Sequence, residues 1–330
     1  GWACGDDGVS VPGLAVSVLG AGPWGRAMAC ILGSNGHLVH LWSGDESKRL
    51  ALRTERAVPG SAAALPDNVV IVDDLAQALE PERVLFAIPP SHASSLLVRA
   101  APWFRPEHRV VHLVRGLADD GTPMSRLITR ETCVVQVGAL AGPVVAAALW
   151  EGKETAAVIG SPFRGLVDEV CSLLTVPGVR VYSSPDLVGV EVGGAMRTPL
   201  ALAAGVIREV GMGPAVLSVL LTRGIAEAGR LAEALGGERS TLSGLSGIGD
   251  WMFTANDAAD AVVCAGMALA RTGDAAYPEA ERRVRTLLTL SSRLGVELPI
   301  TEAVGSMLSG VPLQEALEVL MMRSPGLESA

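Results

Sequence analysis

The chain has 330 residues, nearly half of them apolar, with 38 glycines, few aromatics and a formal net charge of −9. That length supports two domains with a sizeable core. An acidic chain without basic tracts is not built to bind nucleic acid or an anionic membrane surface. The five cysteines, Cys4, Cys30, Cys133, Cys171 and Cys264, are scattered and lack metal-ligand spacing. They read as reduced, mostly buried thiols of a cytoplasmic protein with no metal site. Residues 1–13 read as a flexible leader without the basic and apolar regions of a secretory signal. No apolar run approaches the roughly 18–20 residues that span a bilayer.

Leu14 to Leu19, "LAVSVL", is the first predicted strand. It ends at Gly20-Ala21-Gly22-Pro23-Trp24-Gly25, and a helical pattern follows, closed by Gly36. "HLVHLW" (37–42) is the second strand, so a βαβ unit is complete within about thirty residues. Further strands are predicted at 68–72, 83–88, 109–114, 133–138, 155–160 and 179–183. Continuous apolar strands of this kind suit a parallel sheet covered on both faces. From Gly189 onward the apolar spacing is helical, with glycines as stops. The expected fold is an α/β Rossmann-like domain over 14–187 with a mostly parallel sheet, followed by an all-α domain over 188–330.

In Gly20-x-Gly22-x-x-Gly25, the first glycine permits the turn and the second lets backbone approach a pyrophosphate. The third allows close helix–strand packing, and the helix N-terminus offers N–H groups to phosphates. The ribose-binding acid of such a fold lies about twenty residues on. Asp45 or Glu46 could take a ribose 2′-hydroxyl, favouring NAD, whereas Lys48 and Arg49 could meet the 2′-phosphate of NADP. Between them, NAD is the preferred reading.

Several stretches in order, "VLGAGPWGRAMA", "LFAIPPSHAS", "GVEVGGAMRTPLALAAG", "LSGLSGIGDWMFT" and "GVELPITEAV" among them, resemble the bacterial-type NAD(P)-dependent glycerol-3-phosphate dehydrogenase family. The likeness covers nearly the whole chain after residue 13. It implies a two-domain fold of the 6-phosphogluconate dehydrogenase-like kind. It also implies hydride exchange between nicotinamide and C2 of dihydroxyacetone phosphate. The resemblance puts Gly20, Gly22, Pro23, Trp24, Gly25, Asp45 and Pro89 at the cofactor, and Arg197, Arg115, Asp250 and Thr254 at the chemistry. It expects a small-molecule substrate and leaves room for a homodimer.

The substrate half departs from the family. Its lysine in "GALKN" is Arg197 in "GAMRT" here, and its lysine in "KGLE" is Arg115 in "VRGLAD". Its phosphate-gripping "SRN" motif falls on Asp260, Ala261 and Val262, so the clamp is missing. Arginine stays charged and is a planar fork, where lysine can exchange a proton. Arg197 could polarise a carbonyl, or pair with Asp250 for structure alone. Asp250 could hold Arg197 through a bidentate pair, Asp260 would add repulsion if it faced the same space, and Pro199 should kink or loosen the turn that carries Arg197. His92 could supply a proton. Glu191 reads as a helix-terminus charge, Arg223 as an ion-pair residue and His112 as core. Three functions stay open: the family's own reaction, reduction of a different small ketone, and nucleotide binding without turnover.

Overall fold

The computed structural model describes residues 13–57, 64–144, 154–174 and 178–321. The leader up to residue 12 lies outside them. The described chain clusters into two compact units, divided at Val114/Arg115, Thr122/Pro123 and Leu187/Val188. The short segment Arg115–Thr122 groups with the helical unit, not with the sheet that flanks it in sequence.

The first unit is built on an eight-stranded sheet. In chain order the strands are β1 (Ala15–Leu19), β2 (Leu38–Trp42), β3 (Val69–Val72), β4 (Arg83–Phe86), β5 (Arg109–His112), β6 (Gln136–Ala141), β7 (Thr155–Gly160) and β8 (Val179–Ser184). All eight predicted strands are present. Their order across the sheet is β3-β2-β1-β4-β5-β6-β7-β8. Every pairing is parallel except β6 with β7. The strands are apolar on both faces because helices cover both, as a parallel sheet requires. Val16, Val18, Val39, Leu41, Leu85 and Val111 are buried in this core. The chain runs outward from β1 to β3, then returns to place β4 on the other side of β1. That reversal is a topological switch point, where open α/β sheets bind ligands at the carboxyl ends of their strands.

In the second unit the described residues form helices and no strand. Its central helix, Leu187–Val210, is buried over most of its length. Valine, leucine and alanine make it long and apolar enough to cross a membrane by composition, but 94% of its most apolar window is buried. The expectation that no such run exists is corrected: this is the core helix of the unit. It carries Pro199 in its interior and continues through it to Val210 without a break. Glu191 lies in its second turn, buried, rather than at its terminus.

Close helix packing organises this unit. A Cβ placed at Gly205 would overlap the Val263 carbonyl, and one at Gly266 would overlap the Leu202 carbonyl. The two glycines let the central helix and the helix Ala261–Thr272 cross with their backbones nearly touching. Apart from that crossing, Glu227 of the helix Pro214–Ala234 is buried and caps a third helix, Pro299–Leu308. It accepts from Ile300 N at 2.7 Å, Thr301 N at 3.1 Å and the Thr301 hydroxyl at 2.6 Å.

The thiol expectation needs correction. Among the described residues Cys30 is a buried free thiol, but Cys133 and Cys264 are exposed. Cys171 is disulfide-bonded.

Candidate active site

The glycine loop is assembled at the switch point. Gly20 N donates to the Trp42 carbonyl at 2.9 Å and Ala87 N to the Leu19 carbonyl at 2.8 Å, tying together the ends of β1, β2 and β4. Gly20 has φ +111°, and a Cβ there would overlap the Ala87 carbonyl. A Cβ at Gly25 would overlap the Gly20 carbonyl, so the helix Pro23–Ser34 packs directly on the turn. Gly22 differs: a Cβ there meets nothing within 4 Å. Only the first and third glycines are required by the fold itself. The second leaves open space at a helix N-terminus that has proline at its first position and no side-chain cap. This is the arrangement a pyrophosphate needs, with backbone free to approach and the positive end of a helix facing it. Trp24 is partly buried against the sheet core, and Pro23 is exposed at the helix start. Pro89, also exposed, is the N-cap of the helix Pro90–Ala100 that follows β4. These residues fit a dinucleotide.

Asp45 lies beyond the end of β2 and caps the helix Glu46–Glu55, accepting from Lys48 N at 3.1 Å. One of its oxygens is thereby engaged. Arg49 donates to the Ser43 carbonyl at 2.6 Å and stands 3.5 Å from Asp73. Of the four groups weighed for ribose recognition, Asp45 and Arg49 thus already have partners within the chain, and Glu46 and Lys48 are exposed in the first turn of that helix. His92 is exposed and contacts the neighbouring Ser91 hydroxyl at 3.0 Å. His112 is fully buried, as a core residue. Arg223 is exposed. No group of three metal-ligating side chains occurs among the described residues.

The remaining predicted residues meet inside the helical unit. Gly193 and Gly194 place them. A Cβ at Gly193 would overlap the Ser246 carbonyl, and one at Gly194 would stand 3.5 Å from Arg115 Cα. The central helix therefore lies directly against both the Leu245–Gly249 turn and the Arg115 segment. Trp251 locks this contact by donating its indole N–H to the Gly193 carbonyl at 2.9 Å. One turn further along, Arg197 projects beside Asp250 and Thr254, which share a face of the helix Asp250–Asn256 at a spacing of four.

Within the cluster Arg197 Nε donates to Thr254 Oγ1 at 2.9 Å and its Nη2 to Asp260 Oδ2 at 2.5 Å. Asp250 Oδ2 is 3.7 Å from Arg197 Nε, and Asp250 Oδ1 is 3.8 Å from Arg115 Nη2. Asp250 is 1% exposed, and neither of its carboxylate oxygens has a hydrogen-bond partner among the described residues. The bidentate Arg197–Asp250 pair is therefore not formed. Arg197 gives its short bonds to Thr254 and Asp260, and Asp250 sits between two guanidiniums at ion-pair distance. Nor does Asp260 repel: its other oxygen accepts from Val262 N at 2.9 Å and Val263 N at 3.2 Å, capping the helix Ala261–Thr272. An aspartate directly before an apolar helical run is a cap signal. That signal could have been read; its pairing with a residue 63 positions away could not.

Burial sets the electrostatics. It pushes the Asp250 carboxyl above its ordinary 3.8, against the pull of Arg115 and Arg197. It pushes the Arg115 guanidinium below its ordinary value, against the pull of Asp250. In both cases desolvation penalises the charged form.

The profile described as "NAD-dependent glycerol-3-phosphate dehydrogenase N-terminus" matches residues 15–165, and its C-terminus counterpart matches residues 186–318. A glycerol-3-phosphate dehydrogenase (NAD(P)+) of Alkalilimnicola ehrlichii is 35% identical over 324 residues, covering 94% of this chain and 98% of that one. Its counterpart in Shewanella amazonensis is 33% identical over 323 residues, covering 92% and 95%. The crystal structure of glycerol-3-phosphate dehydrogenase from Coxiella burnetii superposes with a TM-score of 0.87 at 26% identity, covering 94% of this chain and 99% of that one. With both halves matched and full-length relatives above 30% identity, the chain belongs to the NAD-dependent glycerol-3-phosphate dehydrogenase family.

Proposed function

We propose that the protein is an NAD(P)-dependent oxidoreductase acting on a CH–OH group, with Arg197, Arg115, Asp250 and Thr254 as its reaction site. A bound nicotinamide dinucleotide supplies the hydride acceptor or donor. The cradle for it is Gly20, Gly22, Pro23, Trp24 and Gly25, with Asp45 and Pro89 beyond the ends of β2 and β4. The family's substrate pair, dihydroxyacetone phosphate and glycerol 3-phosphate, defines the chemistry: a small C2 carbonyl becomes an alcohol. Cytoplasmic location and a homodimer belong to the same reading.

The observation that carries this reading is the meeting of Arg197, Thr254, Asp250 and Arg115 within one compact unit of a family member. The planar guanidinium fork of Arg197 suits it to hold and polarise an oxygen. Its Nη1 has no partner among the described residues and is the group available for that. Thr254 is a positioning residue, fixing the guanidinium plane through Nε. The proton must then move through another group. Asp250 is the one carboxyl in the cluster with both oxygens unpartnered, and burial favours its protonated form. We assign it the proton. No observation favours nucleotide binding without turnover.

The cradle is tested with Gly22→Val. The open space at Gly22 accepts the side chain, so the fold survives, but the phosphates lose their approach. Titration with NADH should show a loss of about tenfold or more, the worth of a charge-assisted hydrogen bond. Equal affinity in wild type and variant would sink the assignment.

A further inference from the structure

The anion-binding features of the helical unit are already in use. Arg197 and the first N–H groups of the helix Ala261–Thr272 are two positive elements of the cluster. One carboxylate engages both. Asp260 Oδ2 accepts from Arg197, and Asp260 Oδ1 accepts from Val262 N and Val263 N. This is how a bound phosphate would divide its oxygens between a guanidinium and a helix N-terminus. The flanking residues add no cation: Ala261 is exposed and small, and Val262 is buried in the apolar core. The carboxylate of Asp260 offsets the positive charge that Arg197 would otherwise present to a dianion.

We infer that Asp260 is a specificity-determining residue: its carboxylate stands where an anionic substrate tail would bind, and the site takes an uncharged hydroxyketone or polyol in place of a phosphomonoester. This deepens the reading of the preceding subsection and rests on it. Asp260 works as an internal anion, fixed to the chain and therefore at high effective concentration. An external dianion can bind only by displacing it or by tolerating its charge.

The test compares wild type with Asp260→Ser, in which serine keeps the helix cap while releasing Arg197. Calorimetry measures glycerol 3-phosphate binding to each protein, alone and with NADH present. Kinetics with NADH compare dihydroxyacetone with dihydroxyacetone phosphate. Wild type should favour the uncharged ketone in kcat/KM. The variant should bind glycerol 3-phosphate about 10- to 100-fold more tightly, the worth of one freed charge-assisted bond. The inference is overturned if wild type prefers the phosphate ester. It is equally overturned if the variant binds glycerol 3-phosphate no more tightly than wild type. Failure of NADH to bind at all sinks the oxidoreductase reading instead, and the glycerol 3-phosphate comparison on the protein alone still judges Asp260.

Discussion

Replacing Gly205 with alanine is the most direct probe of how the cluster is held together. The new Cβ would overlap the Val263 carbonyl and stand 2.8 Å from Met267 N and 2.9 Å from Gly266 Cα. Carbon–oxygen approaches of this kind normally stop at about 3.3 Å. The helices Leu187–Val210 and Ala261–Thr272 must therefore separate by roughly 1 Å. A radial gap of that size forfeits about a quarter to a half of each dispersion contact along the crossing. Overpacking typically costs about 1–3 kcal/mol, while alanine returns about 0.5–1 kcal/mol of helix propensity. Because the obstructing atoms are backbone on both sides, the cost should exceed that return, leaving about 2 kcal/mol of net destabilisation. For a unit of this size that is roughly 4–8 °C in Tm. Differential scanning calorimetry measures it. Gly165→Ala is the control, since its Cβ meets nothing within 4 Å, and it should be neutral or slightly stabilising. An unchanged Tm in Gly205→Ala would refute the close crossing, and with it the account of how Asp260 reaches Arg197.

Two further predictions concern buried carboxyls. Glu227→Ala strips acceptors from Ile300 N, Thr301 N and the Thr301 hydroxyl. It should cost about 3 kcal/mol or more in urea unfolding, at about 1–3 kcal/mol per orphaned buried donor; Glu227→Gln, which keeps one acceptor oxygen, should lose less, and equal losses would count against the capping role. Asp250 has a folded-state pKa raised by burial above the ordinary 3.8, so the folded state holds a proton that the unfolded state releases first. Its contribution makes stability fall as pH rises from about 4 through the folded value, and level off above it. Asp250→Asn should therefore flatten the pH–stability profile over that window, and parallel profiles would contradict the assignment.

The sheet was legible because its strands are continuous apolar runs, which leave few alternatives to a parallel sheet covered on both faces. The cofactor loop was legible for a similar reason: local spacing, strand then glycine turn then helix, is itself the structural cause. The helical unit resisted. Asp260 and Arg197 are far apart in sequence, and counting along a missing motif suggested repulsion where the folded chain forms its shortest ion pair in the cluster. Asp250 reads as a bidentate partner for Arg197 because that aspartate is the retained one of the two. In the structure Thr254 and Asp260 take the short bonds, and Asp250 is held back at 3.7 Å. Glu227 was passed over inside an amphipathic helix. A lone carboxylate on a buried helical face was the available clue, since burial of such a group demands donors.

The chain crosses between its two units three times, and the brief excursion at Arg115–Thr122 has a practical consequence. A fragment beginning at Val188 would omit Arg115, leaving Asp250 with one guanidinium and Gly194 with no backbone to rest against. Severing the polypeptide at the obvious joint therefore strips the helical unit of one of its own segments. During synthesis the early loop must also wait, without its final neighbours, until the long helix emerges to receive it.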